Sequence, residues 1–268
     1  MNNGKSSPYL TWPSPVYFTS TPRRIRPMSS PSVPEFVRTD LGRLEIALGE
    51  AVLAALGRFL DQLLEANRHF NLTSIRDRAE AWRRHIIDSL TLLPFLEDLP
   101  SGSVLIDVGT GGGLPGIPIA LARPDLNLVL LEATGKKAVF CRQCAAELSL
   151  DLAVIHDRAE RIGQDRAHRE HYEAAVSRAI GPMREMLEYT LPLLRVDGRL
   201  LAMKGPKAEQ ELEEAADALD ILGAGELNVY DAYPPQFGQG SVVVAVTKRA
   251  RTPDTFPRAP GTPRKSPL

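Results

Sequence analysis

From Ser103 onward the chain alternates short apolar runs with helical stretches, an order that few folds can accommodate. VLIDVG (104–109), LNLVLLE (126–132), LAVIH (152–156), AAVSRA (174–179) and GRLLAMKG (198–205) read as strands. Helices are expected from near Pro115, over 135–148, near 182–194 and over 207–221. Strands separated by helices predict a parallel sheet covered on both faces. The last two runs, NVYDAY (228–233) and SVVVAVTK (241–248), are joined by PPQFGQG, which is too short for a crossover helix. They must form a hairpin, so one of them runs antiparallel. The expected fold class is α/β, a seven-stranded, mostly parallel, doubly wound sheet.

A small N-terminal helical region precedes this pattern. Leu44, Ala47, Val52, Leu53, Leu56, Leu60, Leu63 and Leu64 recur at helical spacing, and Trp82 to Leu93 reads as a further helix after the turn at 70–73. Both ends of the chain differ in kind. Residues 1–34 carry seven prolines with Lys5, Arg23, Arg24 and Arg26 and no acid. Residues 249–268 hold five prolines and Arg249, Arg251, Arg258, Arg264 and Lys265 against Asp254. Neither end has apolar periodicity, so both are expected to be disordered tails. The expected division is tail 1–34, helical region 35–100, ligand-binding domain 101–248 and tail 249–268. Met28 lies inside the first tail and is a candidate translation start.

Overall net charge is −1, so the basic ends flank an acidic body. That distribution suits a polyanionic partner met through patches, although solvated tails would look the same. No run approaches the ~18 apolar residues of a membrane span, and the first residues lack a secretory signal pattern. Only Cys141 and Cys144 occur, which excludes a disulfide framework and a four-cysteine zinc site. They form C-x-x-C within a helix rather than at its start, where a redox pair would sit, and are read as small core residues. A cytoplasmic monomer with no metal and no membrane contact is expected.

The chemistry is concentrated in Asp107-Val-Gly109-Thr-Gly111-Gly112-Gly113-Leu114-Pro115-Gly116, between the first strand and its helix. Glycines let the backbone turn tightly against a ligand, and a helix N-terminus offers N–H groups. Glu132 follows Asp107 by 25 residues, at the tip of the second strand, where an acid can accept ribose hydroxyls. Gly111-x-Gly113-x-x-Gly116 formally satisfies the dinucleotide fingerprint, so an NAD-dependent oxidoreductase is the rival reading. Asp107 separates the two. A carboxylate there would repel a pyrophosphate but attract the ammonium of a methionine moiety, which favours S-adenosyl-L-methionine.

The blocks FNLTSI (70–75), HIIDSL (85–90), LIDVGTGGGLPGIPIALARPD (105–125), LLEATGKKAVFCRQCAAELSL (130–150), HDRAE (156–160), VSRA (176–179) and LLAMKG (200–205) resemble the bacterial 16S ribosomal RNA guanine-N7 methyltransferase family, also called glucose-inhibited division protein B. The resemblance covers roughly residues 60–205 and neither tail. It implies the class I, Rossmann-like methyltransferase architecture, S-adenosyl-L-methionine as donor, and 16S ribosomal RNA, a small ribosomal subunit or a precursor particle as partner. Carried over by position, it implies that Gly109 and Leu114 line the donor site, that Ala159 and Glu160 embrace the adenine, and that Arg178 lies near the methyl-transfer face. Glu132 matches the ribose-binding acid. The family often has other residues at Gly112 and Leu114.

The expected donor-binding set is thus Asp107, Gly109, Gly111, Gly113, Leu114, Glu132, Ala159, Glu160 and Arg178. Lys136, Lys137, Lys204 and His85 are candidates for contact with the RNA. Each has a plainer reading. Asp107 could cap its loop, Arg178 could pair with Glu160 or Glu185, and lysine pairs are usually solvated. His85 and Asp88 share a helix face and could simply dock the helical region. Guanine N7 has no proton to lose, so no catalytic base is expected, only placement of the reactants. A methyltransferase fold that binds a ribosomal partner without catalysis is the remaining alternative.

Overall fold

The computed structural model describes residues 33–233 and 240–268, together with a two-residue strand β1 (Val16–Tyr17) that pairs in parallel with β2 (Ile46–Ala47). Residues 1–15 and 18–32 of the first proline-rich tail, Met28 among them, lie outside the described residues. The main sheet holds β3 (Val104–Val108), β4 (Asn127–Glu132), β5 (Leu152–His156), β6 (Tyr172–Arg178), β7 (Leu194–Lys204), β8 (Ala224–Asp231) and β9 (Val242–Lys248). Their order is β5-β4-β3-β6-β7-β9-β8, with β9 antiparallel to both neighbours and every other pairing parallel. The expected terminal hairpin is therefore present.

Strands buried on both faces read as continuous apolar runs, and the period of two assigns each side chain to a layer. Leu105, Leu128, Leu130, Ala174, Val176, Leu201 and Met203 face one core, whereas Ile106, Val108, Leu131, Ala175, Leu200 and Ala202 face the other. Helix α2 (Glu50–Ala66) buries Val52, Leu53, Leu56, Phe59, Leu60 and Leu63 in the first core. The N-terminal helical region thus shares a core with the sheet. It is interrupted more than its spacing predicts: α1 (Glu35–Arg43) ends before β2, and Glu45 takes φ 55° between them. The His85 stretch runs from α3 (Arg78–Ala81) through wide π turns (Trp82–Ile87) to α4 (Asp88–Leu90).

Crossover helices α5 (Gly116–Ala122), α6 (Gly135–Glu147), α7 (Ala159–Ile162) and α8 (Met183–Thr190) follow β3 to β6. The single helix expected over 207–221 is two, α9 (Ala208–Glu213) and α10 (Ala216–Ile221). Among the described residues no helix is long and apolar enough to cross a membrane.

The expectation of disorder over 249–268 is corrected. The segment is docked along α7 and α8 and ends in a short helix α11 (Thr262–Lys265), with Thr252, Pro257 and Pro263 buried. Its composition lacks periodicity because scattered apolar residues, Phe256 and Leu268 against the second core with Pro257 and Pro263 buried, and polar anchors hold it instead of a regular apolar face. Arg169 donates to the carbonyls of Thr252 and Phe256 at 2.7 Å each, and Arg258 pairs with the fully buried Glu188 at 2.6 Å.

Candidate functional site

Strand β3 carries the chain to the carboxyl edge of the sheet, where Gly109 and Thr110 donate their N–H groups to the carbonyl of Leu131 at 2.8 and 3.1 Å. The glycines after it answer different demands. Gly109 and Gly111 adopt φ +72° and +59°, a region that favours glycine. A Cβ at Gly109 would lie 2.3 Å from Ile180 Cγ2, and one at Gly116 would lie 2.3 Å from Leu130 Cδ2. Gly111 meets nothing closer than 3.9 Å, so what fixes glycine there is its backbone angle.

Glu132 organises the loop from the next strand. Its Oε2 accepts the Gly111 N–H at 2.9 Å and its Oε1 accepts the Thr134 N–H at 2.6 Å. A carboxylate offers about four acceptor positions, so two such bonds leave capacity for ligand hydroxyls.

Glu132 opens onto a cleft of about 690 Å³ along the carboxyl edge of the sheet. The cleft takes in Gly109 and Gly111, then Thr134 and Lys137 at the start of α6, then Asp157, Arg158, Ala159 and Glu160. Its opposite wall is Ala179 to Pro182, Glu185 and Tyr189, with Arg264 from α11. A second cavity of about 460 Å³ lies alongside, lined by Asp88, Arg178, Met203, Lys204, Glu211 and Ala232 among others. Ala179 and Gly181 line both. Ala179 takes φ 58°, a costly conformation for a residue with a Cβ, at the wall between them. Lys204 Nζ fixes that wall by donating to the Gly181 carbonyl at 2.8 Å while pairing with Glu211 at 2.5 Å.

Of the donor-binding residues expected from sequence, Gly109, Gly111, Glu132, Ala159 and Glu160 line the cleft. Glu160 is only 4% exposed, and its Oε1 accepts the Gly261 N–H at 2.8 Å, so the carboxylate anchors the C-terminal segment. Asp107 does not reach the cleft. It is fully buried, and its Oδ2 accepts from Thr110 Oγ1 at 2.6 Å and the Gly116 N–H at 2.8 Å. Burial pushes its carboxyl up to about 6 against those two bonds. The expected partner of the donor's ammonium is thus the brace of the loop. Gly113 and Leu114 also fall outside the lining. A Cβ at Gly113 would strike Ile117 at 2.5 Å, and Leu114 packs in the core.

Arg178 lines the second cavity, and its partner is Asp88 at 3.0 Å, not Glu160 or Glu185. Asp88 also accepts from Tyr233 at 3.0 Å, so β6, the His85 stretch and the chain after β8 meet at one carboxylate. Lys137 lines the cleft and Lys204 the second cavity, while Lys136 is exposed and lines neither. Cys141 and Cys144 are buried, and burial raises both thiols, Cys144 to about 12. Sequence reasoning missed Tyr189 and Arg264. Tyr189 lies on a helix with no motif, and Arg264 lies in a segment read as a tail.

His85 lines neither cavity. Its Nδ1 donates to the Arg84 carbonyl at 3.0 Å, which leaves Nε2 to accept from Thr73 Oγ1 at 2.7 Å. Burial, with the Arg178 charge nearby, holds the ring down at about 4. The unfolded chain, with its histidine at the usual 6.5, therefore binds more protons between about pH 4 and 6.5. The stability that neutral His85 contributes is full above that window and is lost as pH falls through it. Asp107, raised from 3.8 to about 6, has the opposite sign, with stability falling as pH rises between those values. His85→Gln should therefore show a smaller fall in urea midpoint from pH 7 to pH 5 than the wild type. An equal fall in both proteins would refute the assignment of the acid loss to His85.

A family model described as rRNA small subunit methyltransferase G matches residues 52–235. The Ribosomal RNA small subunit methyltransferase G of Chloroflexus aggregans is 44% identical over 224 residues, covering 83% of this chain and 93% of that protein. Its counterpart in Desulforamulus reducens is 38% identical over 226 residues, covering 84% and 94%. A solved structure from Methanococcus maripaludis, assigned as an S-adenosyl-L-methionine-dependent methyltransferase, is similar in fold. It has a TM-score of 0.50 and 12% identity over 64% of this chain and 90% of that one.

Proposed function

The chain belongs to the rRNA small subunit methyltransferase G family, and on that premise we propose that it transfers a methyl group from S-adenosyl-L-methionine to N7 of a guanine in 16S ribosomal RNA. The observation that carries the reading is the shared wall. The cleft that holds Gly109, Gly111 and Glu132 and the second cavity beside it meet at Ala179 and Gly181. Two reactants held on either side of such a wall approach each other only there.

The donor supplies an electrophilic methyl on a sulfonium. Glu132 would hold the ribose hydroxyls with its remaining acceptor capacity, and Gly109 and Gly111 would admit the methionine part close to the backbone. Ala159 and its neighbours would border the adenine. The second cavity would take the guanine. There the Arg178 and Lys204 cations offer donors to O6, and the Asp88 and Glu211 carboxylates offer acceptors to N1–H and the exocyclic amine. Lys137 at the cleft mouth and exposed Lys136 would meet RNA phosphates. A ribosomal RNA substrate, as the relatives' names imply, suits action in the cytoplasm.

N7 presents a lone pair, so the chain has no proton to remove and acts by placing the two reactants. Its rate should be nearly flat from about pH 7 to 8.5, because no base titrates on the path. His85 and Asp107, at about 4 and about 6, lie below that range. Mass spectrometry of 16S ribosomal RNA from cells with and without the gene should show 7-methylguanosine only when the gene is present. An N1, N2 or C5 product with a one-proton slope would overturn the N7 assignment. Protection by NAD instead of S-adenosylhomocysteine would revive the oxidoreductase, and a bound but unmethylated RNA would leave only the binding role.

A further inference from the structure

We propose that the C-terminal segment 252–268 is the closing wall of the donor cleft at its nucleoside end, with Arg264 a donor-binding residue that lies against the adenine. The inference rests on the donor reading above. The segment lies beyond the family-model match, which ends at residue 235.

Its attachment is polar and specific. Glu160 and Glu188, 4% and 0% exposed, receive the Gly261 N–H at 2.8 Å and the Arg258 guanidinium at 2.6 Å. Each carboxylate stands beside a cleft-lining residue, Glu160 next to Ala159 and Glu188 next to Tyr189. The segment therefore fastens to the two helices that form the nucleoside end. Prolines at 253, 257, 260, 263 and 267 limit the freedom such a segment loses on docking.

The arginines divide the labour. Arg258 pairs with Glu188. Arg264 has no hydrogen-bond or ion-pair partner among the described residues, is exposed, and lines the cleft together with Ala159. A guanidinium and the Tyr189 ring at the same end suit a planar base, which each can face. Glu185, Glu160 and Asp157 share that end with Arg158 and Arg264, so the charges there largely offset one another, as suits a neutral purine.

The test is titration calorimetry of full-length wild type, Arg264→Ala and Arg264→Lys with S-adenosylhomocysteine and with 5′-methylthioadenosine, which lacks the amino-acid part. Arg264→Ala should weaken both ligands about threefold to tenfold, with Arg264→Lys between the two and the ligand-free melting midpoint unchanged. The KM for ribosomal RNA should stay the same. If the variant binds both ligands as the wild type does, or raises only the KM for RNA, the residue belongs to the RNA surface and the proposal fails while the donor reading stands. A wild type that binds neither ligand removes the donor reading and this proposal together.

Discussion

Replacing Glu132 with alanine should weaken S-adenosylhomocysteine binding by roughly tenfold to hundredfold, the largest loss expected of any single change in the cleft. Hydrogen bonds to a charged group contribute about 1.5–3 kcal/mol, and each 1.4 kcal/mol is a factor of ten in affinity. The effect has two sources. The ribose loses its acceptor, and the Gly111 and Thr134 N–H groups lose the carboxylate that now receives them at 2.9 and 2.6 Å. Glu132→Gln separates them, because it keeps one acceptor for the loop and loses the charge. It should bind the ligand with intermediate affinity and melt close to the wild type. Calorimetry on both variants measures this directly. Wild-type affinity in Glu132→Ala would mean that the carboxylate does not face the ribose.

Arg258→Met should lower stability by about 2–4 kcal/mol, toward the lower part of the range for breaking a buried pair because the arginine is partly exposed. Glu188 is fully buried, and the substitution leaves its charge with only the Arg258 backbone N–H at 2.8 Å. For a chain of this size that corresponds to a fall in melting midpoint of roughly 5–15 °C. The double variant Arg258→Met with Glu188→Leu removes the buried charge as well and should recover most of the loss. Calorimetric melting of the four proteins of the cycle is the measurement. Equal destabilisation in the single and double variants would show that packing of the segment matters and the ion pair does not.

Some residues disclosed their role before any fold was known. The alternation of apolar runs announced the sheet, because a strand buried on both faces cannot include a charge in its middle without a partner inside. The seven residues between the last two strands could only close a hairpin. Gly109, Gly111 and Glu132 were legible as cleft residues because backbone geometry and strand-tip position follow from local order. Asp107 was misread for a related reason. Spacing showed that an acid stood beside the loop but not on which side of the backbone its carboxylate lay, and packing turned it inward to Thr110 and Gly116.

What local order could not supply is any pairing between distant segments. Arg178 meets Asp88 across 90 residues, and Glu188 meets Arg258 across 70. Neither partner is marked in the sequence, since a carboxylate buried beside a guanidinium looks like any acid on a helix. The proline-rich end resembled a tail because it has no periodic apolar face of its own, and its order comes from carboxylates and arginines on other elements together with scattered apolar contacts such as Phe256 and Leu268. Sequence alone determined the sheet, the glycine loop and the acid at its side, all fixed by neighbours in the chain. The tertiary structure decided which charges meet, that two cavities share the wall at Ala179, and that Arg264 from the last residues lines the cleft, because each depends on contacts between segments far apart in sequence.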